Sequence, residues 1–139
     1  LFTREASPAF KFKYPIGCKK IPIRYPGQIM RMKTSDDVIF AASVIDIPEG
    51  IKLEDFAPKY YAQDPTGVAP NFKVVSNIEI ALKCGTKAYQ TKLTYLWYNF
   101  PVTTFLVSAY KDGKCIFIAA HTWTYLIEVE PFVKSLTFE

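Results

Sequence analysis

The sequence predicts an α+β fold in which an antiparallel β-sheet carries two short helices. Aromatic residues make up 16% of the chain, and such side chains favour pleated, half-buried surfaces over helical bundles. Apolar and polar residues alternate along several segments, as half-buried strands require. Between two apolar runs stands Asp112-Gly113, which is a strong signal for a two-residue hairpin turn. Together these patterns favour a sheet-dominated protein.

The length of the chain fits a single domain, 1–139, with residues 1–9 as a flexible lead-in. It begins with Leu1 rather than Met and continues with polar residues. We therefore expect that an export signal, a lipoprotein leader or an expression tag preceded it. No run of 18 apolar residues predicts a spanning helix. We expect an exported or cell-envelope protein, periplasmic or lipoprotein, with a cytoplasmic location as the alternative.

Seven segments are predicted as strands. Residues 10–14 form the first, and residues 28–33 and 38–44 form a hairpin. The remaining four are predicted to form an antiparallel meander, because turn signals separate them. They are residues 72–82, 86–100, 102–110 and 115–123, with turns at 83–85 and 111–114 and a break at Pro101.

Two helices are predicted from helical spacing of apolar residues. The first covers residues 53–63 and tolerates Pro58 only in its first turn, where a backbone N–H would lack a partner anyway. The second covers residues 128–136 and places Pro131 in its first turn. Its apolar face consists of Val129, Val133 and Leu136.

The sequence contains no residue pattern typical of an enzyme. Motifs of nucleotide-binding loops, zinc proteases and serine hydrolases do not occur. His121, the only histidine, shares a strand face with Cys115, but six residues along a strand separate their Cα atoms by roughly 20 Å at ~3.3 Å per residue. We therefore expect no catalytic residues and no cofactor. Asp36 and Asp37 are interpreted as turn residues that bond to local backbone.

The three cysteines, Cys18, Cys84 and Cys115, form no C-x-x-C pair, which indicates neither a disulfide framework nor a zinc site. We predict no bound zinc. Whether two of the three cysteines pair stays open.

Positive charge is concentrated in the first 33 residues. They carry eight basic residues against one acidic residue, a net +7, whereas the other nine basic and twelve acidic residues give −3. Such a surface suits an acidic protein partner, or an anionic membrane if a removed N-terminal anchor held the chain there. Nucleic acid is not expected, because its recognition motifs do not occur. The candidate binding residues are Lys11, Lys13, Lys19, Lys20, Arg24 and Arg31. The alternative interpretation is that these residues form the solvent side of ordinary strands.

Aromatic residues supply a second candidate surface. In alternating strands they most often belong to the core, but together they also fit a cleft between the sheet and the 53–63 helix. A small-molecule or lipid carrier, or a small hydrolase, is the function that such a cleft favours. Its predicted members are Tyr60, Tyr61, Trp97, Tyr98 and Trp123.

Several short motifs along the chain resemble those of the PsbP-like superfamily. They are Tyr14-Pro-x-Gly-x-Lys-Lys20, Pro26-Gly-Gln28, the Leu53-centred helix, Gly85-Thr-Lys-Ala-Tyr89 and the closing Ser135-Leu-x-Phe138. That group includes the extrinsic subunit of the oxygen-evolving complex, a Ran-binding nuclear import factor and bacterial exported domains. Cys18 and Cys84 stand where its members often have Trp and Asp.

The resemblance implies an antiparallel sheet covered by helices in an α/β/α sandwich. None of the matching residues is catalytic, and no partner of a particular member is implied. The function that this predicts is a non-catalytic exported binding or accessory module.

Overall fold

The computed structural model describes residues 1–24, 26–47, 49–56, 73–123 and 129–138. These residues form ten strands and two short helices. The strands are β1 (Phe2–Arg4), β2 (Phe10–Phe12), β3 (Lys19–Lys20), β4 (Gln28–Lys33), β5 (Ile39–Ile45), β6 (Lys73–Ala81), β7 (Lys87–Trp97), β8 (Phe100–Lys111), β9 (Lys114–Thr122) and β10 (Thr137–Phe138). The helices are α1 (53–56) and α2 (Glu130–Val133).

The described strands lie in two antiparallel sheets. The larger sheet has the order β3-β4-β5-β9-β8-β7-β6, and the smaller sheet has the order β1-β2-β10. Strands β6 to β9 pair in sequence order, which confirms the predicted meander. The hairpin of β4 and β5 is confirmed as well. The smaller sheet was not predicted.

The turn between β8 and β9 is the predicted two-residue hairpin turn. Its φ angles, 51° at Asp112 and 79° at Gly113, are positive at both central residues, as a type I′ turn requires. The predicted break at Pro101 is wrong. The turn lies at Tyr98 and Asn99, whose φ angles are 47° and 67°. Pro101 belongs to β8, where it is tolerated because β9 ends opposite Thr103 and leaves the proline nitrogen without a described neighbouring strand.

One face of the larger sheet, the core face, packs against the smaller sheet and α2. It presents alternate residues such as Phe40 and Ile118, and the smaller sheet contributes Phe10 and Phe12. Leu136, which follows α2, is fully buried in the same cluster. The core face therefore holds the main hydrophobic core.

The opposite face has a smaller apolar cluster near one end of the strands. Phe56 of α1 stacks on Phe117 of β9 with ring centroids 5.5 Å apart and an interplanar angle of 16°. Leu106, Ala119 and Cys115 complete its buried residues. Asn77 Nδ2 donates a hydrogen bond of 2.7 Å to the Glu54 carbonyl, so α1 is tied to β6.

The helices are shorter among the described residues than predicted. The second helix covers Glu130–Val133, not 128–136, although Pro131 occupies the predicted first turn. Glu128 and residues 57–63 of the first helix lie outside the described residues. The antiparallel sheet is the dominant feature, and helical layers over both of its faces are not shown by the described ranges. Within those ranges no helix has the length and apolarity needed to cross a membrane.

The residues predicted as a flexible lead-in, 1–9, include β1. Phe2 of this strand lies opposite Phe12 and packs against the core cluster.

Gly27, in the Pro26-Gly-Gln28 motif, has a φ of 87°, and a Cβ there would lie 2.9 Å from Ile45 Cγ1. Both conditions favour glycine at this position.

Candidate binding face

Basic residues gather on the face of the larger sheet opposite the core face. Lys19 of β3 lies directly opposite Lys33 of β4, and Lys33 lies opposite Ile39. Arg31 is two residues from Lys33 and therefore shares its face. Ile39 in turn lies opposite His121 of β9, and His121 lies opposite Thr104 of β8. We call this surface the basic face, and its polar members are Lys19, Lys33, Arg31, His121, Thr104 and Tyr95.

The structure separates the other predicted basic residues from this face. Lys20 pairs with Met32, whose side chain belongs to the core face, so Lys20 lies on that side of the sheet. Lys11 alternates with Phe10 and Phe12 in β2 and is exposed on the outside of the smaller sheet. Lys13 is exposed next to β2, and its backbone N–H donates to Ser135 Oγ at 2.7 Å. The predicted basic patch is therefore divided between two sides of the molecule.

The Lys19–Lys33 pair brings two like charges together. Cross-strand neighbours of the same charge are destabilising. The Asp37 carboxylate lies 3.3 Å from Lys33 Nζ and compensates one of these charges. With Arg31 on the same face, the local balance is positive, which favours the approach of an acidic group.

His121 lies in a polar cluster on the basic face. Its Nδ1 is 2.6 Å from Thr104 Oγ1 and 3.3 Å from the Tyr95 hydroxyl. Burial and the nearby positive charge of Arg31 lower the pKa of His121 to about 4. The imidazole is therefore neutral at pH 7. Further interactions hold His121, Tyr95 and Arg31 in place.

The contact between Thr104 and His121 resembles a nucleophile beside a base, but its surroundings suit a structural role. Thr104 is fully buried in β8, so its hydroxyl does not reach a substrate in solvent. A buried hydroxyl needs a hydrogen-bond partner, and His121 supplies it. Cys115, at the other end of β9, pairs with Ile45, whereas His121 pairs with Ile39. The thiol and imidazole are thus held apart, as the strand spacing predicts.

Arg24 and Trp97 meet across the sheet. The Arg24 guanidinium carbon lies 4.6 Å from the centre of the Trp97 ring, within range of a cation–π interaction. Arg24 follows β3, and Trp97 ends β7, yet β4, β5, β9 and β8 lie between these strands in the sheet order. Trp97 also shares the face of Tyr95, two residues earlier. The segment after β3 lies against the basic face, where the Pro22 carbonyl accepts a hydrogen bond of 3.2 Å from Arg31 Nη1, and it brings Arg24 to Trp97.

The predicted aromatic cleft is only partly assembled among the described residues. Trp97 lies on the basic face, whereas Tyr98 occupies the β7–β8 turn and is exposed, and Trp123 is partly exposed after the end of β9. Tyr60 and Tyr61 lie outside the described residues. An open cavity of about 450 Å³ does lie beside the start of α1, near the predicted place. Its described lining residues are Ile47, Ile51, Leu53, Tyr110 and Gly113.

Sequence reasoning missed three members of the basic face. Lys33 has the two-residue spacing from Arg31 that indicates a shared face, and this spacing was available in the sequence. Tyr95 lies in a predicted strand, where an aromatic residue most often belongs to the core. Thr104 became recognisable only through the pairing of β8 with β9.

The three cysteines, all among the described residues, have free thiols. Burial raises the pKa of Cys115 to about 12, and burial raises the pKa of Cys18 above its ordinary value. For Cys84, burial would raise the pKa, but hydrogen bonds from the Phe138 backbone and from Thr86 outweigh it and lower the pKa. Cys84 is also the exposed thiol.

Labelling with iodoacetamide is expected to modify Cys84 first and to leave Cys115 unmodified in the folded protein, because the thiolate is the reactive form. Mass spectrometry of tryptic peptides measures the order. In urea all three thiols should react. Equal rates for Cys84 and Cys115 without denaturant would contradict this assignment.

No group of three His, Cys, Asp or Glu side chains placed to hold a metal ion occurs within the described part of the chain. The absence of zinc stays a prediction, to be tested by elemental analysis. At the β4–β5 turn the Asp36 N–H donates to Thr34 Oγ1 at 3.3 Å. This bond to a turn side chain agrees with the interpretation of Asp36 as a turn residue.

No protein-family model matches this sequence, and a comparison with curated proteins gives no match. Solved structures share its fold. LpqN, involved in cell envelope biogenesis of Mycobacterium tuberculosis, is 15% identical, with a TM-score of 0.62 over 97% of this chain and 86% of LpqN. PA94, a protein of unknown function from Pseudomonas aeruginosa, is 13% identical, with a TM-score of 0.51 over 76% of this chain and 66% of PA94. At these identities the similarity concerns the fold, which this chain shares with bacterial proteins.

Proposed function

We propose that this chain is a non-catalytic binding or accessory module of a bacterial cell envelope that recognises an acidic protein partner through its basic face. The observation that carries the proposal is the direct opposition of Lys19 and Lys33 with Arg31 beside them. Carboxylates of a partner would relieve the repulsion between these cations. Recognition through exposed charges would mainly set the association rate and its salt dependence.

The proposed fold assignment is the PsbP-like superfamily, with helices completing an α/β/α sandwich. Its support is the series of sequence motifs together with the antiparallel sheet and the positions of α1 and α2 on opposite faces. The proposed exported location is supported by the fold similarity to LpqN, a protein involved in cell envelope biogenesis.

The proposed absence of catalysis is supported by the surroundings of His121. Its Nδ1 is engaged with buried Thr104. The lowered pKa also makes His121 a weak base at neutral pH.

Poly-L-glutamate serves as a model acidic partner for testing the basic face. Lys19→Glu is expected to weaken its binding about fivefold at ~0.1 M salt, since attraction is lost and repulsion is added. The matched control is Lys20→Glu, which makes the same charge change on the neighbouring residue but on the other side of the sheet. Its binding should change less than about twofold. Fluorescence anisotropy of labelled poly-L-glutamate measures the affinity of both variants.

Raising the salt to ~1 M should reduce the difference between wild type and Lys19→Glu, because the Debye length falls to about 3 Å. His121→Gln should bind like wild type. Equal losses for Lys19→Glu and Lys20→Glu would show that only net charge matters and would overturn the basic face. A decisive effect of His121→Gln would reopen the enzyme alternative.

A carrier of small anionic molecules is the second candidate, favoured by the Arg24–Trp97 contact on the basic face. With Trp123→Phe, Trp97 becomes the only tryptophan and reports on this contact. A saturable fluorescence change on titration with laurate would support the carrier. An unchanged spectrum would count against it.

A further inference from the structure

The β7–β8 hairpin ends in an exposed group of aromatic side chains. Tyr98 and Phe100 are 69% and 67% exposed. Trp97 packs edge-on against Tyr98, with ring centroids 5.1 Å apart and an interplanar angle of 90°, and it pairs with Phe100 across the hairpin. We call Trp97, Tyr98 and Phe100, with the neighbouring Arg24, the aromatic tip.

The backbone of the tip is strained in a way that favours a specific role for Tyr98. Both central residues of its turn, Tyr98 and Asn99, have positive φ angles. Asparagine adopts this conformation readily, whereas a bulky residue does so rarely. Glycine would satisfy the turn with less strain. Backbone strain of this kind concentrates at functional positions.

The charge and chemistry of the tip suit a lipid surface. Arg24 places its guanidinium over Trp97, and Ile23 beside it is 55% exposed. Tyrosine and tryptophan favour the boundary between water and acyl chains, and arginine extends its charge towards headgroups. The positive charge of Arg24 at the tip is complementary to anionic headgroups.

The small size of the tip argues for a bilayer over a protein. A specific protein interface buries roughly 800 Å² on each partner, whereas aromatic side chains of roughly 150–250 Å² each cannot supply that area from one hairpin end. Insertion into a bilayer requires no complementary pocket. A projecting two-residue turn reaches the headgroup layer without rearranging the sheet.

We propose that the aromatic tip docks on an anionic lipid bilayer, independently of any N-terminal anchor. Tyr98 and Phe100 enter the boundary between headgroups and acyl chains, and Arg24 contacts the anionic headgroups. The aromatic tip does not include Lys19 and Lys33, although Trp97 lies on their side of the sheet, so it adds a second contact to the proposed partner binding.

Co-flotation with vesicles of equal parts phosphatidylcholine and phosphatidylglycerol tests the proposal. The double variant Tyr98→Gly/Phe100→Thr should lower binding at least about tenfold. Glycine relieves the positive φ and threonine suits a strand, so this variant should unfold at a temperature equal to or above that of wild type. Loss of binding with intact stability separates docking from misfolding.

The matched control is Tyr110→Thr. Tyr110 is 52% exposed and lies on the same strand as Phe100, ten residues and about 33 Å away. This variant should bind like wild type. Arg24→Gln should reduce binding to the mixed vesicles more than to phosphatidylcholine alone.

In the Trp123→Phe variant Trp97 is the only tryptophan, and vesicles that contain brominated lipid should quench its fluorescence. The proposal is overturned if wild type does not bind the mixed vesicles, or if the double variant binds as well as wild type. It is also overturned if sedimentation shows that wild type self-associates and that the double variant does not, because the tip would then bind a second copy of the chain.

Discussion

Leu136→Ala is expected to lower the free energy of unfolding by about 2–5 kcal/mol. Leu136 is fully buried in the core cluster, together with Val133. Removing its side chain loses apolar burial and leaves a cavity that surrounding strands cannot readily close. Neighbouring Ser135 accepts a hydrogen bond from the Lys13 backbone, and Thr137 pairs with Lys11. These bonds hold the segment in place and limit relaxation.

Urea unfolding measures this effect as a shift of the midpoint with an unchanged slope. Lys134→Ala is the local control. Its ammonium lies 3.8 Å from the Glu130 carboxylate, but both side chains are exposed, so its loss should cost less than about 1 kcal/mol. A loss below about 1 kcal/mol for Leu136→Ala would contradict the burial of this leucine.

Stability is expected to fall by about 3 kcal/mol as the pH drops from about 6.5 to about 4, through His121 alone. The folded pKa is about 4 and lies below the ordinary value of 6.5. In this window the unfolded chain binds a proton that the folded chain does not. Protonation therefore favours unfolding, and the contribution is regained as the pH rises above the unfolded pKa.

Carboxylates also titrate near pH 4, so the measured quantity is the difference between wild type and His121→Gln across the pH series. The His121→Gln variant should lack the part of the pH dependence that His121 causes between about pH 4 and about pH 6.5. Proton NMR provides a direct check, because the chain has one histidine and its ring signals need no assignment. A midpoint near 6.5 in the folded protein would contradict the buried site.

Features of the fold that depend on local backbone demands were predictable. Asp112 and Gly113 adopt the positive φ angles that a type I′ turn needs. Pro131 can start a helix but cannot continue one, and it does occupy the first turn of α2. The β7–β8 turn was misplaced because Pro101 is a stronger signal than Tyr98-Asn99. The proline is acceptable within β8 because the described part of β9 ends opposite Thr103.

The smaller sheet and the basic face could not be derived from local patterns. β1, β2 and β10 are two or three residues long, too short to show a period. The basic face depends on which strands become neighbours. The sequence placed Lys19 and Lys20 together, whereas the register places Lys19 opposite Lys33 and Lys20 opposite Met32. A shift by one residue would exchange their sides.

The first and last described strands meet in the smaller sheet, because β1 and β10 both pair with β2. Contacts between distant residues form late, whereas strands joined by tight turns pair early. During synthesis the β6–β9 meander is complete before residues 137–138 leave the ribosome. Until β10 has been synthesised, the apolar surface around Phe40 and Ile118 lacks its full cover and is open to aggregation. Pairing of β10 with β2 thus closes a core whose larger sheet is already in place.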